Sequence, residues 1–188
     1  MLRCDSRWLL ALTATIYKFD IDLSDADRQV YESLALQAAR HPSESEAYLV
    51  TRVLAYALEF TDGIAWSRGL ADATEPPIAV RDLTGALRVW IEIGWPDAAR
   101  LHKASKAAPR VVVYTHKDPA QLVARLAGER IHRADAIEVY AVDRDLISAL
   151  VARLDRRMAF GLSIADRELF ISIGSETLNG AVVRCPLG

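Results

Sequence analysis

"RVWIEIGWPDAARLHKASKAAPRVVVYT", residues 88–115, decides how this chain folds. Val89, Trp90, Ile91 and Ile93 make a strand buried on both faces, yet Glu92 stands inside it. Gly94 and Pro96 end that strand, and Pro96 suits the first turn of a helix reaching Ala108. Leu101, Ala104 and Ala108 give that helix its core side; Ala99, Arg100, Lys103, Lys106 and Ala107 share the other. "RVVVYT" is a second, fully apolar strand. An ionised carboxylate left unpaired in such surroundings costs several kcal/mol. Glu92 therefore needs a buried partner, a solvent-filled cleft or a metal ion.

Downstream the alternation continues. "DPAQLVARLAGER" reads as a helix, "AIEVYAV" as a strand, and "DRDLISALVARLDRR" as a helix capped by Asp143. The order strand–helix–strand–helix–strand–helix predicts a parallel central portion with helices on both faces. The tail, "MAFGLSIADRELFISIG" and then "GAVVRC", reads as a hairpin and a closing strand. Upstream, "IAVRD" and "ALRVWIEIG" form a hairpin about "LTG". "TATIYKFDIDLSD" alternates, with Tyr17, Phe19, Ile21 and Leu23 on one side. Ser24 reads as the cap of a helix over 25–40, with Val30, Leu34 and Ala38 in register. A further helix begins at a Ser43/Glu46 capping box, ends before Gly63, and is apolar nearly all round, hence central. Its polar stripe holds Glu44, Thr51, Arg52 and Glu59. The expected fold is an α/β domain with a mixed central sheet flanked by helices, covering residues 1–188 as one unit.

With 52% hydrophobic and 26% charged residues among 188, the chain has the composition of a soluble globular domain. A net charge of −2 argues against a protein that holds nucleic acid by bulk electrostatics, leaving a local basic patch open. Cys4 and Cys185 sit near opposite ends without metal-type spacing, so a reduced, cytoplasmic chain is expected. "MLRCDSRWLLALTATIY" imitates a signal peptide, but its apolar run is short, Asp5 interrupts the basic end, and it merges into a strand. No stretch is long enough to cross a membrane, and a monomer is favoured.

There is no phosphate-binding glycine loop, no zinc-protease helix and no nucleophile elbow. His41, His102, His116 and His132 lack ligand spacing. What remains is Asp82 at the end of one hairpin strand, Glu92 in the other, and Lys103 on the following helix. If Asp82 and Glu92 converge, two hard oxygen donors describe a Mg²⁺ or Mn²⁺ site, with Lys103 to orient water or neutralise a phosphate. Each residue also has a structural reading. Asp82 would start a turn, Lys103 with Arg100 and Lys106 would be a solvated face, Glu44 would favour a helix start, and Glu92 would pair with Arg52.

"TATIYK", "ARHPSE", "RGLADATEP", "WIEIGWPD" and "KAS" occur in the order seen in the YaeQ family of small bacterial proteins, which the chain resembles from about Leu12 to the last strand. Residues 1–11 look like an extension. That family resembles in fold the restriction-endonuclease-like PD-(D/E)xK nucleases. The resemblance implies Asp82 as the motif Asp, Glu92 as the motif Glu, both on metal, and Glu44 as a helix carboxylate. The lysine expected two residues after the Glu is Gly94 here, so Lys103 would take its place from the helix. Arg52 would orient the site or contact phosphate, and Arg100, Lys106 and Arg110 would contact flanking phosphates. Two expectations follow: a metal-dependent nuclease, or a nucleic-acid- or protein-binding regulatory module that keeps the fold without the chemistry.

Overall fold

The structure, a computed structural model, describes residues 14–67 and 74–187. In chain order the elements are β1 (Thr15–Asp25), β2 (Val30–Arg40), α1 (Glu46–Leu58), β3 (Ile64–Trp66), β4 (Ile78–Arg81), β5 (Leu87–Ile93), α2 (Ala98–Ala107), β6 (Arg110–Thr115), α3 (Pro119–Leu126), β7 (Ile137–Val142), α4 (Arg144–Val151), β8 (Arg157–Ala165), β9 (Glu168–Ile173) and β10 (Glu176–Cys185). All ten strands join one mixed sheet in the order β2-β1-β8-β9-β10-β7-β6-β5-β4-β3.

The expected parallel centre is present: β5, β6 and β7 run parallel in consecutive register. Alternate side chains of these strands feed two cores. Trp90, Val111, Val113 and Val139 pack with Leu101 of α2 and Leu122 and Leu126 of α3. Ile91, Ile93 and Val112 pack on the other side with α1 and α4. From Leu49 to Ala57 every residue of α1 is buried, as its all-round apolar character requires. Outside the parallel centre, β8, β9 and β10 form an antiparallel meander. β1 adds to β8 in parallel, so the two ends of the chain share one continuous ladder. The sheet curls into a near-barrel about α1 and α4.

Residues 25–40 are not a helix. β1 turns at residues 26–29 and returns as β2, paired antiparallel from Asp25↔Val30 to Thr15↔Arg40. Gln29 takes the turn with φ 60. Val30, Leu34 and Ala38 fit a helical face, but Leu34, Leu36 and Ala38 fit a strand face equally well, and those three are buried. The cap of α1 is Ser45, which accepts from the Tyr48 amide at 3.1 Å, rather than Ser43, whose hydroxyl lies 2.6 Å from His41 Nδ1. Asp97 caps α2, so Pro96 precedes the cap instead of occupying the first turn. Cys4, the signal-like apolar run up to Thr13, and part of "SRGLADATEPP" lie outside the described residues.

Candidate functional site

Trp90 and Glu92, two residues apart, point to the same side of β5. Glu92 is 3% exposed, and its Oε1 accepts from the Trp90 indole at 2.6 Å and from Arg100 Nε at 2.5 Å. Arg100 reaches it from the first turn of α2 and also donates to the Glu75 carbonyl at 2.8 Å. Burial pushes the Glu92 carboxyl above its ordinary range, and the Arg100 charge and the Trp90 hydrogen bond act against that. The buried partner of Glu92 is therefore Arg100 and not Arg52.

Arg52, 7% exposed on α1, lies 3.4 Å from Glu44 and donates to the Ala39 carbonyl at 2.5 Å. Its guanidinium sits over the Tyr48 and Trp66 rings at 5.7 and 5.6 Å. Glu44 also accepts from the His41 amide, and its backbone carbonyl accepts from Arg40. These groups meet in one cavity of about 350 Å³ lined by Glu44, Tyr48, Arg52, Glu75, Glu92, Trp95 and Arg100, among others. Burial pushes the Tyr48 phenol up to about 12, opposed by Arg52, so it is protonated at neutral pH. The cavity stands at the C-terminal end of β5, where ligands of open parallel sheets commonly bind.

Asp82 is elsewhere. Ile78 pairs with Ile91 and Arg81 with Leu87, so Glu92 faces the Pro77 end of the hairpin while Asp82 occupies its turn. The five steps from Leu87 to Glu92 span about 16 Å at ~3.3 Å each. Asp82 Oδ1 accepts from the Thr84 amide, the Thr84 hydroxyl and the Ala86 amide, and Oδ2 pairs with Arg88. The Thr84 hydroxyl above all, with Arg88 and the two amides, holds its pKa down at about 2. It organises the turn, as the structural reading had it, and the expected convergence with Glu92 does not occur.

Lys103 and Lys106 are exposed one and two turns beyond Arg100, outside the cavity lining. Arg110 lies at the start of β6, held by Glu59 and Glu138. Gly94 has φ 81, a left-handed position strained for any other residue, and a Cβ there would meet Tyr48 at 3.8 Å. A lysine does not suit that backbone, and the cation beside Glu92 comes from α2 as Arg100. Of the expected site residues, Glu44, Arg52, Glu92 and Arg100 come together. Glu75, Tyr48 and Trp95 join them without having been anticipated. Among the described residues no group of three or more His, Cys, Asp or Glu converges to hold an ion.

A mixed α/β sheet with a charged cavity at the end of the first strand of its parallel centre is the class these observations define. The YaeQ protein family model matches residues 10–182, and the chain belongs to that family. It is 30% identical over 164 residues to YaeQ of Escherichia coli strain K12, covering 87% of this chain and 91% of that one, with the same values for the protein of Salmonella typhi. The crystal structure of YaeQ from Xanthomonas axonopodis pv. citri superposes with a TM-score of 0.82 at 31% identity, covering 92% of this chain and 98% of that one. That of Pseudomonas syringae gives 0.81 at 28% identity, covering 93% and 98%.

Proposed function

We propose that this chain cleaves phosphodiester bonds of nucleic acid at the Glu92 cavity, with a divalent ion, on a nuclease-like arrangement. One observation carries the reading: three carboxylate residues, Glu44, Glu75 and Glu92, and two arginines, Arg52 and Arg100, line a single cavity. A cavity of mixed sign suits a cation and a phosphate taken together better than either alone. Mg²⁺ commonly takes one or two carboxylates and completes its shell with substrate phosphate and water, so it does not require three converging side chains. Glu75 and Glu92 would hold Mg²⁺ or Mn²⁺, with Glu44 behind them. Such an ion supplies a water of lowered pKa and a charge clamp on the phosphate.

The chain's own groups do the rest. Arg100 carries the positive charge that the nuclease pattern assigns to lysine, and its fork matches a phosphate as well as the Glu92 carboxylate it holds. Arg52 is fixed by two rings and Glu44, so it positions a phosphate without large loss of side-chain freedom. Tyr48, protonated up to about pH 12, is a donor and keeps its proton throughout.

The alternative is a binding module without chemistry. It is favoured by the occupation of Glu92 Oε1 by both Trp90 and Arg100. Incubation of single- and double-stranded DNA and RNA with wild type and Glu92→Gln, with Mg²⁺ or Mn²⁺, separates the two. Cleavage lost in the variant supports the nuclease; binding without cleavage by wild type selects the module.

A further inference from the structure

Three buried side-chain polar atoms among the described residues have no hydrogen-bond partner: Arg52 Nε, Trp95 Nε1 and His116 Nδ1. Arg52 and Trp95 line the Glu92 cavity, and His116 directly follows β6, which neighbours β5. Buried N–H donors are nearly always satisfied, because leaving one unpaired costs on the order of 1–3 kcal/mol. Two such donors belong to side chains that line one cavity, and acceptor oxygens brought beside them would meet that unspent capacity. The charge beside them points the same way. Lys117 Nζ lies 4.8 Å, and the Arg125 guanidinium 5.4 Å, from the centre of the Trp95 ring. Both cations are exposed, and neither has a carboxylate partner among the described ion pairs. Asp118, next to Lys117, spends its carboxylate on the Ala120 amide and Gln121 at the start of α3.

We propose that Trp95, Lys117 and Arg125, continuing from Arg52, form a second phosphate position, so that a nucleic-acid strand runs from the Glu92 cavity across the ends of β5 and β6. This rests on reading the cavity as a phosphodiester site, and it adds the direction of the strand and the residues that hold the phosphate next to the scissile one. The net charge of −2 is no obstacle, because the contact is local. Its strength falls with salt in proportion to the phosphates engaged.

The test is fluorescence anisotropy of labelled single-stranded and duplex oligonucleotides in metal-free buffer, where cleavage cannot interfere, over a series of salt concentrations. Lys117→Gln with Arg125→Gln is expected to weaken binding about tenfold and to flatten the log–log salt slope by roughly 0.7, the value for one phosphate on a single strand. Trp95→Phe keeps an aromatic ring and removes the donor, and is expected to cost about fivefold, the equivalent of one hydrogen bond. Wild-type affinity and slope retained in the double variant would overturn the proposal, as would a wild type that binds neither oligonucleotide. The outcome is separable from the nuclease reading. Binding that follows this pattern without cleavage in Mg²⁺ keeps the strand path and removes the chemistry. Cleavage with an unchanged double variant does the reverse.

Discussion

Two charged cavities among the described residues, the one at Glu92 and a larger one at Glu59, differ in how fully their groups are paired. About 500 Å³ is enclosed by Glu59, Arg110, Tyr114, Tyr140, Arg28 and Arg167, among others. Arg110 holds Glu59 at 2.6 and 3.1 Å and Glu138 at 2.8 and 3.0 Å. The Tyr114 hydroxyl donates to Glu59 and the Tyr140 hydroxyl to Glu138, and the two rings stack 5.4 Å apart. Burial works to lower the Arg110 pKa, and its hydrogen bonds to Glu138 and Glu59 more than reverse it. The Arg110 hydrogen bond above all pulls Glu138 down, while burial raises Tyr114. Among the described residues, no buried side-chain polar atom of this cavity is left without a partner. The Glu92 cavity is smaller but leaves Arg52 Nε and Trp95 Nε1 unsatisfied. Unmet hydrogen-bonding capacity, and not volume, separates a binding site from a structural network.

That contrast breaks most sharply at Glu92. Glu92→Gln keeps the shape and an acceptor for Trp90, so its melting temperature is expected within a few degrees of wild type. Cleavage should fall by about 10³-fold or more, equivalent to ~4 kcal/mol of transition-state stabilisation. Equal losses of stability and activity would make Glu92 a structural residue like Glu138. Next in size is Arg100→Leu, which leaves Glu92 buried without its cation. Removing one partner of a buried pair costs roughly 3–5 kcal/mol, or about 6–20 °C in Tm for a chain of this length. Lower pH should recover part of that loss. The folded pKa of Glu92 is raised, so whatever its protonated form contributes is present at low pH and lost as pH rises through that value. A thermal melt series across acid pH reads this directly.

Much of this arrangement was legible, and the misses have physical causes. The parallel centre followed from apolar runs separated by capped helices, where local pattern and tertiary burial agree. β2 was missed because "VYESLALQAAR" is rich in good helix formers, and its pairing with β1 overrides that propensity. No Gly or Asn marked the preceding turn; Gln29 carries the positive φ instead. Asp82 and Glu92 do not converge, and the reason lies in the hairpin itself. Once "LTG" is taken as the turn, counting back along both strands places Glu92 at the Pro76–Pro77 end, near Glu75, and leaves Asp82 at the far end; the register shift beside Arg81 sets the final pairing. Arg100 could not be told from Lys103 by helical spacing, since i and i+3 share a face. Only the docking angle of α2 decides which reaches β5.

The two smallest effects test the structural side of the comparison. Arg110→Met removes the centre of the Glu59–Glu138 network. Because that side chain is 37% exposed, solvent screens the pair, and a cost of about 1–2 kcal/mol is expected with cleavage and oligonucleotide binding unchanged. A larger effect on activity than on stability would move the functional site to this cavity. Asp82→Asn should change least of all. Asp82 has a folded pKa of about 2 against 3.8 for the free group, so its charge contributes fully above pH ~4, where folded and unfolded chains are both ionised. As pH falls from 3.8 to 2, the unfolded chain takes up the proton first, and the contribution is lost. The stability gap between wild type and Asp82→Asn should therefore be constant near neutrality and close between about pH 4 and 2, in denaturant melts at each pH. Activity at neutral pH should be unchanged. A variant that lost cleavage while the gap stayed flat would return Asp82 to the chemistry, against a register that holds it at the opposite end of the hairpin from Glu92.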